Sequence, residues 1–372
     1  LSQKKRCITG AVPLSDFQTA IDRIKARLAA YFGRNGDQLP KPVAETSAKP
    51  AVLNQSPKIS VIIPIYGTEA YVEKCVRSVM DQTLREIEIL CIDDCSPDNS
   101  AAIIERLAAE DGRIRLIRHE RNLGLGGARK TGIEAARAPY VAGVDSDDYI
   151  QPEMMERLWT GTEGQTADVV ACNMMLISAT GELLNTISFQ PGRLQNDHDQ
   201  LNIFGTYNPS FCNKLWRRSL FIDNDIRFPE HCYYEDLATS PRLLRHAKEL
   251  RTIPDNLYRY VYRETSITRT TSAKHITDYF KVYDLLQTFL EAEGLRERYR
   301  VEFRNIFNAG LAYHASNVTS SALDEAEKRQ YLRTMLMLKL SYLEYRDPLH
   351  DLDAQMLQEL IAKAVSRQDL EP

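Results

Sequence analysis

The sequence predicts an α/β fold: a mainly parallel β-sheet covered by helices on both faces, with a helix ahead of it and a helical region behind. Between Ile59 and Asp148, short apolar runs alternate with stretches of helical period. This is the pattern of strands joined by crossover helices. The runs are apolar at successive positions, as strands covered on both faces must be. After Ile150 the alternation stops, and beyond about Ser272 the chain reads as helical throughout.

Taken in order, "LSDFQTAIDRIKARLAAYF" sets Phe17, Ile21, Ile24 and Leu28 on one helical face behind Ser15 as N-cap. Such a helix serves equally for packing on the main domain or for oligomerisation. Gly33 to Lys58 is rich in Pro, Ala and polar residues without period and reads as a linker. "ISVIIPI" is the first core strand, followed by a helix with Val72, Cys75, Val76 and Val79 in register. "EIEILCIDD", "RIRLIRH" and "YVAGVDSDD" are the next strands, with helices at "NSAAIIERLAAED" and "GGARKTGIEAAR". Beyond Ile150, "ADVVACNMMLIS" and "GELLNTISF" suit a hairpin about Gly181, while "FCNKLWRRSLF" and "EDLATSPRLLRHA" read as helical. The division expected is a helix and linker over 1–57, an α/β catalytic domain over 58–271, and a helical region over 272–372.

The chain has 372 residues, 43% apolar and 26% charged, with a net charge of -4. That is the make-up of an ordinary soluble globular protein, with no global field to draw in nucleic acid or an anionic membrane. No apolar run reaches the roughly twenty residues of a membrane span. Seven cysteines without a CxxC pair, several inside apolar runs, fit small hydrophobes in a reducing cytoplasm better than a zinc site.

Ligands of such sheets bind beyond the C-terminal strand ends, where Tyr66–Glu69, Asp93–Asn99 and Asp145–Asp148 all fall. Like charges packed as closely as Asp145, Asp147 and Asp148 call for a cation or water, and magnesium or manganese is held by one or two carboxylates plus ligand phosphates. A bare D-x-D, however, is more often a solvated turn. Asp93 and Asp94 suit either a helix-capping turn or hydrogen bonds to a base or ribose. The glycines of "HERNLGLGGARKTG" follow the wrong strand, at the wrong spacing, for a dinucleotide fingerprint. They allow close backbone approach, with Arg129 in reach of a phosphate. Glu235 and Asp236 fit a helix N-terminus or a general base; Arg263 and Ser266 fit a surface cap or diphosphate contacts.

Together "VIIPIYG", "IEILCIDDCSPDNS", "RNLGLGGARKTGI", "VDSDDYI", "CNKLWRRSLF", "FPEHCYYEDL" and "YRETSIT" resemble, in order, the family 2 glycosyltransferases of the GT-A fold, particularly bacterial capsule and surface-polysaccharide enzymes. The resemblance implies an inverting enzyme using a nucleotide-sugar donor, UDP by preference, with Mn²⁺ or Mg²⁺. It implies a saccharide or lipid-linked oligosaccharide acceptor, in the cytoplasm or at the inner face of the membrane. Pro64, Tyr66 and Asp94 are then expected to line the nucleoside pocket, with Asn122 and Arg129 nearby and Glu69 in the same donor-binding set. Asp145 is expected at the ribose or the metal's waters, Asp147 on the metal, Asp148 at the donor sugar and Asp236 as the base. Arg263 and Ser266 would close over the leaving diphosphate, with Glu235, Lys214 and Trp216 on the acceptor side. Gly67 stands where the family usually has Asn, and no His follows Arg263 within the segment where some relatives place one. A nucleotidyltransferase is the competing enzyme, although "PIYGTEAYV" lacks its Gly- and Arg/Lys-rich loop. A non-catalytic nucleotide-sugar scaffold is the competing module. "KKR" near the start and the basic faces of the helical tail leave peripheral membrane contact open.

Overall fold

The computed structural model describes residues 43–46, 56–195, 208–263, 272–321 and 323–346. The predicted N-terminal helix and Ser266 lie outside them. The chain divides into two compact units, Pro42–Asn317 and, separately, Leu1–Lys41 with Val318–Pro372. Of the second unit the structure describes the end of one helix and a second helix, Glu325–Arg346.

The first unit is built on one sheet. Its strands are β1 (Val43–Thr46), β2 (Ile59–Ile65), β3 (Ile87–Asp93), β4 (Ile114–Arg118), β5 (Tyr140–Gly143), β6 (Tyr149–Ile150), β7 (Val169–Ile177), β8 (Leu183–Ile187), β9 (Gly192–Gln195), β10 (Lys214–Arg217) and β11 (Glu249–Val261). The order across the sheet is β1-β4-β3-β2-β5-β10-β7-β11-β6, with β8 on β7 and β9 on β11. The β4-β3-β2-β5 core is parallel, as expected, whereas β10 runs antiparallel to both β5 and β7.

Every residue of β2 and β3 is buried, and their side chains divide by alternation between two cores. Ile59, Val61, Ile63 and Ile65 meet Val72 and Val76 of α1 (Val72–Met80), Ile104 and Leu107 of α2 (Ser100–Glu110), and residues further along. Ile62, Leu90 and Ile92 face the other way, toward Ala128 and Ile133 of α3 (Gly124–Ala135). Met154, Met155 and Leu158 of α4 (Met154–Gly161) join the first core. Leu220 and Phe221 of α5 (Ser219–Ile222), Leu243 and Leu244 of α6 (Glu235–His246) and Leu290 of α7 (Ala273–Ala292) join the second. Helices α8 (Arg300–Ser320) and α9 (Glu325–Arg346) follow, so after Ser272 the described elements are all helices, as predicted, joined by short turns.

Three segments differ from the sequence reading. The linker contains β1, whose backbone pairs antiparallel with the otherwise open edge of β4. "KLWR", expected to be helical, is the central strand β10, followed by the single-turn helix α5. The long strand β11 has no counterpart in the sequence reading, because polar residues break its alternation and its pairing with β7 shifts register between Thr252 and Tyr258. The hairpin about Gly181 forms as expected: the Ser178 N–H donates to Glu182 O at 2.8 Å, and Gly181 has φ 89.

The sheet also fixes where a ligand can sit. From β2 the chain passes outward to β3 and β4, then returns to place β5 on the other side of β2. That reversal is a switch point, and in open sheets of this kind the ligand crevice lies beyond the strand ends there. Past Ile62, β2 pairs only with β3, and Pro64, with no N–H to offer, falls in this one-sided stretch.

Candidate active site

The loop after β2 is stapled to its neighbours. The Thr68 hydroxyl donates to Ser146 Oγ at 3.0 Å, and the Thr68 N–H to Ser100 Oγ at 3.1 Å. Glu69 and the Asp98–Asn99 turn hold each other: the Glu69 N–H donates to Asp98, while Asn99 donates its N–H and side-chain amide to the Glu69 carboxylate. Glu69, expected to contact donor, therefore shapes the rim of the crevice. Tyr66 is 55% exposed at that rim, beside Gly67 with φ 64.

Asp94 is almost wholly buried. Its carboxylate accepts the N–H groups of Leu123 and Gly124 at 2.7 and 2.8 Å, with His119 Nδ1 2.6 Å from Oδ1. The Asn122 side chain donates to Asp94 O at 3.0 Å. Asp94 and Asn122 thus anchor the turn into α3, where a pocket-lining role was expected.

The glycines of that turn have a packing reason. A Cβ on Gly126 would lie 2.1 Å from the Pro229 carbonyl oxygen, and one on Gly132 would lie 2.4 Å from Ile62 Cγ2. Helix α3 therefore sits hard against β2 on one side and the Pro229 loop on the other.

Beyond β5 the acids separate by environment. Asp148 is buried: Tyr258 donates its hydroxyl to Oδ2 at 2.7 Å and Val261 its N–H to Oδ1 at 2.8 Å. Burial and the neighbouring Asp145 charge push its carboxyl well above the usual range. It ties β11 to the strand-end loop, whereas the sequence reading set it at the donor sugar. Asp145 and Asp147 are partly exposed, and Asp147 pairs with Arg263, whose guanidinium lies 4.8 Å from the Tyr71 ring centroid.

Arg129 requires a correction. Expected near the nucleoside and in reach of a phosphate, its side chain is 2% exposed and committed to protein carboxylates. Its Nη2 donates to Asp145 Oδ1 at 2.8 Å, and its Nη1 to Glu235 Oε1 at 2.6 Å and to Asp236 Oδ1. The rings of Phe211 and Phe228 lie 5.5 and 5.6 Å from the guanidinium.

Glu235 and Asp236 open α6, directly after Tyr234 in the left-handed region. The helix N-terminus favours negative charge there. Burial outweighs Arg129 and pushes Glu235 up to about 8; Asp236 is also raised, chiefly by burial. The second oxygen of Asp236 accepts the Phe211 N–H at 3.1 Å, and its side chain remains 20% exposed. A carboxylate offers about four lone-pair sites, so this one retains capacity for a proton from outside.

Lys214 and Trp216 are likewise corrected. Both are fully buried in β10, with no surface to offer an acceptor. The Lys214 ammonium donates to Asn208 O, Ser210 O and Asn213 Oδ1 at 2.7–2.9 Å, and burial lowers its pKa to about 8. Trp216 donates to Phe211 O at 3.2 Å and stacks on the Phe211 ring.

Comparison with known proteins agrees with this architecture. Residues 60–224 match the family model "Glycosyl transferase family 2". The glycosyltransferase GlyG of Streptococcus pneumoniae is 31% identical over 72% of this chain and 93% of its own. The succinoglycan biosynthesis protein ExoO of Rhizobium meliloti is 27% identical over 61% of this chain and 67% of its own. The crystal structure of S. aureus TarS residues 1–349 with UDP-GlcNAc shares the fold, with a TM-score of 0.53 at 20% identity, covering 82% of this chain and 80% of that one. The chain belongs to glycosyl transferase family 2.

Proposed function

We propose that the protein is an inverting, metal-dependent glycosyltransferase. It moves a sugar from a nucleoside diphosphate donor, UDP-linked, to a hydroxyl of a saccharide or lipid-linked acceptor in bacterial surface-polysaccharide synthesis. One observation carries the reading. At the switch-point crevice a single guanidinium reaches both the acid beside the β5 end, Asp145, and the partly exposed Asp236 at the head of α6. A donor-side acid and a candidate base are thereby held within one side chain's span.

The residues suit a hard divalent cation. Asp147 offers carboxylate oxygen at a partly exposed strand end, with Asp145 close in sequence to hold ribose or the ion's waters. Among the described residues no cluster of three His, Cys, Asp or Glu could hold an ion unaided. Donor phosphates would therefore have to complete the coordination of any ion held there. When bound, it supplies positive charge to the departing diphosphate. Arg263 lies against Asp147 and adds a second cation at that edge.

The acceptor hydroxyl attacks the anomeric carbon, the bond to the diphosphate oxygen breaks, and the hydroxyl proton passes to Asp236. A single displacement inverts the anomeric centre. The raised pKa of Asp236 brings the base closer to working pH. Among the described residues no helix is long and apolar enough to cross a membrane. A cytoplasmic enzyme at the inner membrane face accords with the acceptor proposed.

The test is incubation with UDP-, GDP- and dTDP-sugars, Mn²⁺ or Mg²⁺, and saccharide acceptors. Release of nucleoside diphosphate with a new glycosidic bond is expected. Release of pyrophosphate would establish the nucleotidyltransferase instead, and donor binding without turnover would establish the scaffold. An Asp147→Ala variant that binds donor as tightly as the wild type, with the same metal requirement, would remove Asp147 from the ion.

A further inference from the structure

Resting on that reading, we propose that Arg129 is a positioning residue. It sets Asp236 at a fixed distance from the donor side of the crevice and keeps that carboxylate available as a base, with Glu235 as the arm that locks the guanidinium in place.

Arg129 leaves α3 and is enclosed by β5, α6 and the Phe211 segment. Its fork is used geometrically. One terminal nitrogen serves the two α6 acids and the other serves Asp145, so the C–N frame of one planar group sets their separation. The Phe211 and Phe228 rings lie together on one side of the guanidinium, and the Phe211 backbone holds the far oxygen of Asp236. Cys212 Sγ lies 3.6 Å from Nη2. A buried group held on so many sides has little freedom to reach a substrate, so any effect on chemistry passes through Asp236.

Charge leads to the same assignment. Asp236 is faced by Arg129 from α3, Asp145 from the β5 end, Cys212 and Lys214 from β10 and the residues before it, and Glu235 from its own helix. Arg129 is the cation bonded directly to it. Burial favours the protonated acid, and the guanidinium opposes that, leaving the carboxylate able to accept a proton. Glu235 shares Nη1 with Asp236 and accepts its bond at 2.6 Å, which orients the fork.

The experiment measures initial rates for wild type, Arg129→Lys and Arg129→Met across pH, each corrected for folded fraction by circular dichroism and melting. Lysine keeps the charge but has no fork. We expect kcat to fall about 10²-fold, the scale of a small misplacement, with the donor KM within about threefold and the acidic limb unmoved. Methionine loses both features. Its acidic limb should move upward by about one pH unit or more, as removal of an adjacent cation requires. A merely structural Arg129 would lower the melting temperature and leave kcat per folded molecule and the pH profile as in the wild type, which overturns the proposal.

Should the Arg129 variants fail to fold, Glu235→Ala and Glu235→Gln decide. The alanine variant is expected to lose about tenfold or more in kcat through misplacement, and the glutamine variant, which still accepts from Nη1, to recover most of it. Wild-type kcat in the alanine variant, or no recovery with glutamine, overturns the proposal. A wild-type chain that transfers no sugar removes the parent reading; active wild type with indifferent variants removes this one alone.

Discussion

Tyr258→Phe deletes one oxygen from the joint between β11 and the acidic loop. That hydroxyl donates to Asp148 Oδ2 at 2.7 Å and accepts the Asp145 N–H at 3.2 Å. The ring itself is fully buried, so phenylalanine fills the same space. A net hydrogen bond is worth about 0.5–1.5 kcal/mol, and a buried polar group left unmet costs about 1–3 kcal/mol. Asp148 keeps the Val261 N–H on its other oxygen, so the larger penalty falls on the Asp145 N–H and on Asp148 Oδ2. At about 1–3 kcal/mol for each of the two groups, the loss should be about 2–6 kcal/mol. Urea unfolding of the two proteins should show a lower midpoint at unchanged slope, the sign of lost stability without a changed denatured state. Metal-dependent donor binding should weaken as the loop carrying Asp145 and Asp147 relaxes. A stability change under about 0.5 kcal/mol, the range of an ordinary surface substitution, would refute this account of how the loop is held.

Three further outcomes follow from the same geometry. Lys214→Met takes the donor from three acceptors, of which the buried Asn213 Oδ1 alone costs about 1–3 kcal/mol when left unmet, so the melting temperature should drop; a stable variant altered only in acceptor KM would restore Lys214 to the acceptor side. Gly126→Ala drives a methyl into the Pro229 carbonyl, an overpacking cost of about 1–3 kcal/mol or more, and wild-type stability would show that the loop yields freely. Glu235 is raised from 4.5 to about 8, so the folded state holds its proton more tightly and its contribution to stability declines as pH rises across that window. Glu235→Gln should flatten that decline, as read by melting temperature against pH, and an unchanged slope would count against a buried protonated Glu235.

The sheet core was legible because strands covered on both faces must be apolar throughout, as β2 and β3 are. Strand β10 was not: its segment read as helical, and the resemblance set Lys214 and Trp216 on the acceptor side. A lysine ammonium can nevertheless be buried where carbonyls surround it, and those carbonyls belong to a turn the sequence does not announce. The acids were legible by position, because a strand end at a switch point is where polar groups are needed. Their division of labour was not. Asp94 and Asp148 face backbone N–H groups, while Asp147 and Asp236 keep some exposure, and only the folded chain shows which is which. Arg129 was misplaced for a related reason: its partner Glu235 lies 106 positions away, while the neighbouring glycines suggested a phosphate. The glycines do allow close backbone approach, as expected of them, and it is the Pro229 loop that approaches.

The most direct test of the central claim is transfer by Asp236→Asn beside donor binding by the same variant. Asparagine keeps the side chain's shape and an oxygen for the Phe211 N–H, but it cannot take a proton from an acceptor hydroxyl. Sugar transfer should fall ~10²–10⁴-fold, the usual cost of removing a general base, while calorimetric donor affinity in the presence of Mn²⁺ stays near the wild-type value. Undiminished transfer would contradict the assignment of Asp236 as the base, and a loss of donor affinity matching the loss of rate would move it from the chemistry to the donor pocket.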